Sequence, residues 1–176
     1  AIILAAGEPR QMSHFQPMLK LNGKSVIRRQ IDAFRAANVN DILIVTGFHA
    51  GMLERHLAGE TVRFVKNEDF ATTDMMASFQ CALRALPQEI AACLVVMGDQ
   101  PALSVRVVDQ VLLAYGRGRG EIVAPVQAAL PGEPRLAALA GQITNQRYGV
   151  RTAALAMLAA PTYGQMLLSA LQALHP

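Results

Sequence analysis

The sequence predicts an α/β fold of three layers, in which helices cover both faces of a mostly parallel central sheet. One observation behind this prediction is that short β-rich runs alternate with amphipathic segments, an order typical of parallel sheets. A second is helical spacing within the amphipathic segments, where Ile27, Ile31 and Phe34 fall on one stripe. Both observations favour a sheet that is buried on its two sides.

Each predicted element follows from the pattern of its own residues. Strands are predicted where apolar and β-branched residues form short runs, and helices where apolar residues recur every three or four positions. Ser25, Asp74 and Ser104 lie where helix N-caps are expected. In chain order the predicted elements are 2–5, 26–37, 42–46, 52–57, 62–65, 75–86, 93–97 and 122–126, followed by helices at 151–158 and 165–174.

Length and composition favour one domain over residues 1–176. A chain of 176 residues with 52% hydrophobic and 16% charged residues can bury a full core, and it contains neither an internal repeat nor a flexible linker. Because its first residue is Ala1, we expect further native residues before it, which leaves room for another domain of the same native chain. The two thiols, Cys81 and Cys93, have no metal-binding spacing and are expected to be buried.

Charge and hydropathy narrow the range of partners. A net charge of +3 is too small to indicate a nucleic-acid partner, and it is compatible with a polyanionic small molecule. No apolar run approaches the roughly 20 residues of a membrane-spanning helix, so no membrane partner is expected. The chain begins on a strand without the basic segment of a signal peptide, and a cytoplasmic location is therefore expected.

Two segments are predicted at the carboxyl edge of the sheet, where ligands of open parallel sheets bind. In residues 4–7 (Leu-Ala-Ala-Gly), small side chains and Gly7 allow the backbone to close on a phosphate or a base, although such residues also suit an ordinary turn. In residues 95–101 an apolar strand ends at Gly98 and Asp99. The carboxylate of Asp99 is placed either to hold Mg²⁺ together with substrate phosphates or to cap the turn before Pro101.

These segments are part of a larger ordered pattern. Residues 17–25 (Pro-Met-Leu-Lys-Leu-Asn-Gly-Lys-Ser), 44–47 (Ile-Val-Thr-Gly) and 73–78 (Thr-Asp-Met-Met-Ala-Ser) lie between them. Over residues 1–116 the chain resembles the MobA-like nucleotidyltransferases, which include enzymes that attach CMP or GMP to molybdopterin. The resemblance implies a Rossmann-like nucleotidyltransferase fold. It also implies transfer of NMP from an NTP, most readily CTP or GTP, to a molybdopterin-type or other phosphorylated small molecule, with release of pyrophosphate and with Mg²⁺ as cofactor.

The resemblance also implies roles for individual residues. Asp99 corresponds to a metal-binding catalytic carboxylate, and the turn after the first strand corresponds to a nucleotide-binding turn. Met75 and Ser78 correspond to positions near the base or the acceptor. The nucleotide-binding positions implied in this way are Ala5, Ala6, Gly7, Gln11, Gln16, Thr46, Met75 and Ser78.

The phosphate-binding positions depart from the family pattern. Relatives place an Arg and a Lys where this chain has Gln11 and Gln16, and Pro17 keeps the register. A glutamine cannot offset the charge that develops as pyrophosphate leaves. Arg10 and Lys20 are the nearby cations that a rearranged loop would have to use, so both are candidate catalytic residues.

Other functions stay open at this stage. The lost cations suggest, as an alternative, a catalytically silent domain that binds a nucleotide or a pterin and regulates or delivers it. No Asp follows Asp109, so the source of a second metal ligand is also undetermined. A sugar-nucleotide transferase is disfavoured because Asp-x-Asp is missing, and a dehydrogenase because Gly-x-Gly-x-x-Gly does not follow the first strand.

Overall fold

The computed structural model describes residues 1–9, 15–101, 103–118 and 123. Strands and helices alternate along this part of the chain, with a short 3-10 helix and a two-stranded hairpin after the first strand. The order of elements is β1 (Ile2–Ala5), a 3-10 helix (Gln16–Met18), β2 (Lys20–Leu21), β3 (Lys24–Ser25), α1 (Val26–Ala36), β4 (Leu43–Thr46), α2 (Ala50–His56), β5 (Arg63–Lys66), α3 (Met75–Ala85), β6 (Val95–Met97) and α4 (Val105–Gly116).

The central sheet of the described region is parallel throughout, with strand order β5-β4-β1-β6. In register, Ile3 of β1 lies between Ile44 of β4 and Val96 of β6. Because β1 is buried on both faces and paired on both sides, it reads in the sequence as an uninterrupted apolar run. The predicted parallel α/β sheet is confirmed.

Helices cover the sheet on both faces. Ile3, Ile44 and Val96 point to one face, where they form a core with α1, α2 and α4. Their neighbours along the strands, including Ile2 and Val45, point to the other face and pack against α3. Side chains alternate between faces along each strand, so one sheet contributes to two cores. The three-layer, Rossmann-like arrangement is therefore as predicted.

The order of the strands creates a switch point between β1 and β6. From β1 the chain adds β4 and β5 on one side, and it then crosses to add β6 on the other side. The ladder between β1 and β6 continues past β6, because the Gly98 N–H donates to the Leu4 carbonyl at 2.8 Å. In such sheets the crevice beyond the carboxyl ends at the switch point is the usual ligand site.

Several boundaries differ from the prediction. The β2–β3 hairpin was not predicted; its turn, Asn22 and Gly23, has φ of 52° and 80°, the left-handed geometry that two-residue hairpins favour. Helix α2 begins at Ala50, two residues earlier than predicted, and β6 begins at Val95, so Cys93 precedes the strand. The strand at 122–126, apart from Val123, and the helices at 151–158 and 165–174 lie outside the described residues.

None of the helices in the described part of the chain combines the length and the apolarity that a membrane crossing requires.

Candidate functional site at the switch point

The turn after β1 is positioned by two glycines from neighbouring strand ends. A Cβ added at Gly98 would lie 2.9 Å from the Ala5 Cβ, and one added at Gly47 would lie 2.6 Å from the Ala6 carbonyl oxygen. Both alanines are almost fully buried between these glycines. Their small size is therefore required by the packing of the strand ends, and a ligand would meet mainly their backbone.

Gly7, the next residue, is in a different environment. It is exposed, and within the described residues a Cβ at this position would have no atom within 4 Å. The fold itself therefore does not require a glycine here. The open space in front of Gly7 is the kind of space that a closely approaching phosphate or base would fill.

Asp99 lies beside this turn, on the loop that follows β6. Residues 97–100 form a tight turn in which the Gln100 N–H donates to the Met97 carbonyl at 3.3 Å. Because β1 and β6 are parallel neighbours, their carboxyl ends place Gly7 and Asp99 at the same edge of the sheet. The structure thus brings together the two segments that the sequence singled out.

Asp99 has no cationic partner among the described residues. The residue is exposed, yet partial burial of its carboxyl group raises its pKa above the ordinary value, and a hydrogen bond from its own backbone N–H offsets only part of this effect. No ion pair among the described residues includes Asp99. A bound cation would favour the ionised form of this group.

Thr46 lies at the end of β4. Its side chain is fully buried and its hydroxyl donates to the Glu54 Oε1 at 3.2 Å, which links the end of β4 to α2. The nucleotide-binding role expected of Thr46 stays a prediction. Glu54, its acceptor, was not singled out in the sequence.

Ser78 and Met75 lie at the start of α3, beside the loop that follows β5. Ser78 is buried, and its hydroxyl accepts a hydrogen bond from the Asn67 Nδ2 at 3.0 Å. The same Nδ2 donates to the Thr73 Oγ1 at 3.0 Å. Asn67 therefore ties this loop to α3, and Met75, which is only partly buried, is the more accessible of the two predicted positions.

The described residues include only some of the predicted phosphate-binding positions. Arg10 and Gln11 lie outside the described residues. Gln16 is half-buried in the 3-10 helix, and Lys20 is exposed on the hairpin, where it pairs with Ser25. The charge of Lys20 is one of the causes that lower the pKa of His56, which places Lys20 near that imidazole. No described hydrogen bond or ion pair joins Lys20 to Asp99.

An aromatic group, unrecognised in the sequence, lies beyond the ends of β4 and β5. The Phe48 and His49 rings are 3.9 Å apart between centroids, and Phe15 and Phe70 approach Phe48 edge-on at 5.9 and 6.3 Å. Phe70 also lies against the end of β4, since a Cβ at Gly47 would lie 2.7 Å from the Phe70 Cβ. The Phe48 N–H donates to the Ala6 carbonyl at 2.9 Å, which joins the aromatic group to the β1 turn. The aromatic group is thus part of the same sheet edge, and no spacing in the sequence indicated it.

Comparison with known sequences identifies the family. The pattern of the MobA-like NTP transferase domain matches residues 1–173. The chain belongs to this family. The match extends the resemblance seen over residues 1–116 to nearly the full length of the chain.

Relatives and solved structures agree with this assignment. The MobA-like chain is 31% identical over 109 residues to the bifunctional protein GlmU of Francisella philomiragia, covering 60% of this chain and 23% of that protein. It therefore spans about a quarter of the length of this relative. A nucleotidyl transferase from Methanothermobacter thermautotroptrophicus matches with a TM-score of 0.64 and 22% identity, covering 98% and 97% of the two chains. Rv0371c from Mycobacterium tuberculosis, solved in complex with manganese, matches with a TM-score of 0.56 and 17% identity, covering 95% of each chain.

In the described part of the MobA-like chain, Asp99 supplies a carboxylate at the switch point. This part of the chain contains no cluster of three or more His, Cys, Asp or Glu side chains that would form a metal site on its own. This arrangement fits Mg²⁺, which is commonly bound by one or two carboxylates together with the phosphates of a substrate.

Proposed function

We propose that this chain is a Mg²⁺-dependent nucleotidyltransferase that transfers NMP from CTP or GTP to a molybdopterin-type or other phosphorylated small molecule. The observation that carries the proposal is the pairing of β1 with β6, which places the open turn at Gly7 and the carboxylate of Asp99 at one sheet edge. Family membership supports the reaction type. The identity of the base and of the acceptor comes from the resemblance to molybdopterin-modifying members of the family.

Some residues of the proposed site would contact the nucleotide or the metal, and others hold the β1 turn in position. Gly7 leaves room for the nucleotide to approach the backbone, and Asp99 would hold the metal. When bound, Mg²⁺ would neutralise phosphate charge during transfer. Ala5 and Ala6 fix the position of the turn through their contacts with Gly98 and Gly47. Phosphoryl chemistry depends mainly on such positioning and on charge neutralisation, so no protein nucleophile is required.

The aromatic group offers a surface for the planar part of a substrate. Phe48 is hydrogen-bonded through its backbone to Ala6 in the β1 turn, and Phe70 packs edge-on against Phe48. Aromatic rings of this kind stack on bases with about 1 to 3 kcal/mol per base. A nucleobase or a pterin would satisfy the same contact. The surface supports an acceptor or nucleotide that carries a flat ring, and it does not select between the two.

The first experiment measures pyrophosphate release from each of the four NTPs in the presence of phosphorylated acceptors. We expect turnover with CTP or GTP in wild type, and a loss of more than about 100-fold in Asp99→Asn, which keeps the size of the side chain and removes its charge. Asp109→Asn, an exposed change on α4, serves as the matched control and should retain full activity. Unchanged turnover in Asp99→Asn would contradict the assigned role of Asp99.

A silent nucleotide- or pterin-binding domain is the second candidate, favoured by the neutral Gln16 at a position where relatives have a Lys. Loss of one charged phosphate donor commonly lowers a rate by about 100 to 1,000-fold. Calorimetry that shows nucleotide binding independent of Mg²⁺, with no pyrophosphate released, would favour this candidate. In that case Gln16→Lys should restore release, while Gln80→Lys on α3 provides a control for an added charge elsewhere.

A further inference from the structure

Gln30 is a polar residue in a position where the fold would accept an apolar one. It lies in the second turn of α1, between Ile27 and Ile31, and its side chain is fully buried. Burying a glutamine costs solvation and side-chain entropy unless its polar atoms find partners. An amide at this position therefore requires an explanation in terms of what it binds.

The partners of Gln30 are the two ends of the turn that carries Asp99. Its Nε2 donates to the Met97 carbonyl at 2.8 Å and to the Gln100 carbonyl at 2.8 Å. Rotating the amide by half a turn would place its oxygen against two carbonyl oxygens, so the two acceptors fix its orientation. The Oε1 of Gln30 has no hydrogen-bond partner among the described residues, which indicates that the side chain is held by its nitrogen alone.

These bonds hold the turn from a second direction. The Gly98 N–H already attaches the turn to Leu4 of β1. Gln30 attaches the same turn to α1, on the face of the sheet where α1 packs. With its backbone fixed to a strand and to a helix, the turn has little freedom to rotate, and the direction in which the Cα–Cβ bond of Asp99 leaves the backbone is fixed with it.

We propose that Gln30 is a positioning residue that orients Asp99 toward the metal–nucleotide complex. The inference rests on the proposed function, because it assumes that Asp99 binds a metal there. Gln30 touches neither substrate nor metal, and it acts through the backbone of residues 97–100. Residues that orient metal ligands typically change metal affinity or activity by about 10- to 100-fold when they are replaced.

The test replaces the amide without emptying its space. Gln30→Met has a similar volume and no donor, and Gln30→Leu is a second variant of the same kind. Each should raise the Mn²⁺ concentration required for half-saturation in the presence of CTP or GTP by about 10-fold, as measured by loss of the free Mn²⁺ signal in electron paramagnetic resonance. Ile31→Val, a core change one residue away in a side chain that cannot hydrogen-bond to the turn, should lower the unfolding midpoint and leave Mn²⁺ binding unchanged.

A double-mutant cycle distinguishes positioning from general weakening of the fold. If Gln30 acts through Asp99, Gln30→Met should add nothing to the loss of Mn²⁺ binding already caused by Asp99→Asn. An additive loss, or Mn²⁺ binding in Gln30→Met equal to that of wild type, would overturn the positioning role while leaving the proposed function intact. Failure of the wild-type protein to bind Mn²⁺ with any nucleotide would instead overturn the proposed function, and this inference with it.

Discussion

Three glycines at the candidate site have two different tasks. Gly47 and Gly98 are required by packing, because a side chain at either position would overlap the backbone or side chain of the β1 turn. Gly7 faces open space, and its lack of a side chain serves no contact within the described protein. The demands of stability and of ligand binding therefore fall on separate residues.

Replacing these glycines should separate stability from binding. Gly98→Ala should lower the free energy of unfolding by about 1 to 3 kcal/mol, because its Cβ would approach the Ala5 Cβ to 2.9 Å. Gly7→Ala should change stability by less than about 1 kcal/mol. In Gly7→Ala, however, CTP and GTP should lose most of their stabilising effect in a thermal-shift assay with Mg²⁺. A stable Gly98→Ala, or normal nucleotide binding by Gly7→Ala, would contradict the assignment.

Part of the candidate site could be predicted from residue type, and part could be seen only in the structure. Gly7 and Asp99 were singled out because each follows an apolar strand and belongs to the ordered pattern of the resembled family. Gln30 gave no signal, since its partners are backbone carbonyls 67 and 70 residues away and any sequence provides carbonyls. The burial of Thr46 and its bond to Glu54 in α2 depend on packing that the motif does not encode.

The starts of the helices show how far residue type predicts an element. Asp74, Ser25 and Ser104 are all at N-cap positions, as predicted. Only Asp74 uses its side chain for capping, accepting from the Ala77 N–H at 3.0 Å. The hydroxyl of Ser25 instead contacts the His56 Nε2 at 2.8 Å. Sequence identified where each helix begins, whereas tertiary contacts decided what the cap side chain binds.

The cap of α3 can be tested against that of α4. Asp74→Ala should lower the free energy of unfolding by about 1 kcal/mol, because the Ala77 N–H loses its acceptor. Ser104→Ala should change it by less than about 0.5 kcal/mol, since no capping hydrogen bond from this side chain is present. Urea unfolding of the two variants and of wild type measures both values. Equal losses in the two variants would show that residue type matters more than the observed bond.

Elements with weak internal patterns were the least predictable. The strands β2 and β3 have only two residues each, too few for an alternation to be visible. Helix α2 starts after His49, whose left-handed φ of 54° at the N-cap position is not indicated by its residue type. By contrast, α1 differs from its predicted range by one residue, because its apolar stripe is long and regular.

At the scale of the whole molecule, the pH dependence of stability should carry the signature of His56. Its pKa lies below the ordinary value of 6.5, chiefly because of desolvation and then because of the charges of Arg28 and Lys20. The unfolded chain therefore binds a proton more readily than the folded one, and protonation favours unfolding. The contribution of His56 is present above about pH 6.5 and is lost as the pH falls toward its folded value.

The variant His56→Gln isolates this contribution, because glutamine cannot titrate and retains a polar group beside Ser25. Urea unfolding of both proteins across the range from neutral to mildly acidic pH should show a shallower decline for the variant. Subtracting one curve from the other removes the contribution of the carboxylates that titrate at lower pH, because both proteins contain them. Parallel curves would show that His56 has the same pKa in the folded and unfolded states.

The order of the strands was the decisive feature that the sequence left open. Alternating elements predicted a parallel sheet, but several strand orders are compatible with that alternation. The observed order β5-β4-β1-β6 makes β1 the neighbour of β6 and so brings Asp99 and Gly7 to the same sheet edge. The candidate site therefore exists only once the sheet is assembled, because its two segments are close in space and far apart in sequence.

The pairing of the first and last described strands also has a consequence during protein synthesis. Synthesis proceeds at roughly 5–20 residues per second, so Gly7 emerges several seconds before Asp99 does. Once β4 has been synthesised, β1 can pair with it, but the other side of β1 has no partner until β6 follows. A nascent chain therefore completes the sheet edge that carries Gly7 and Asp99 late, and a chain interrupted before Val95 leaves β1 without its β6 partner, with an unpaired edge that other strands can join.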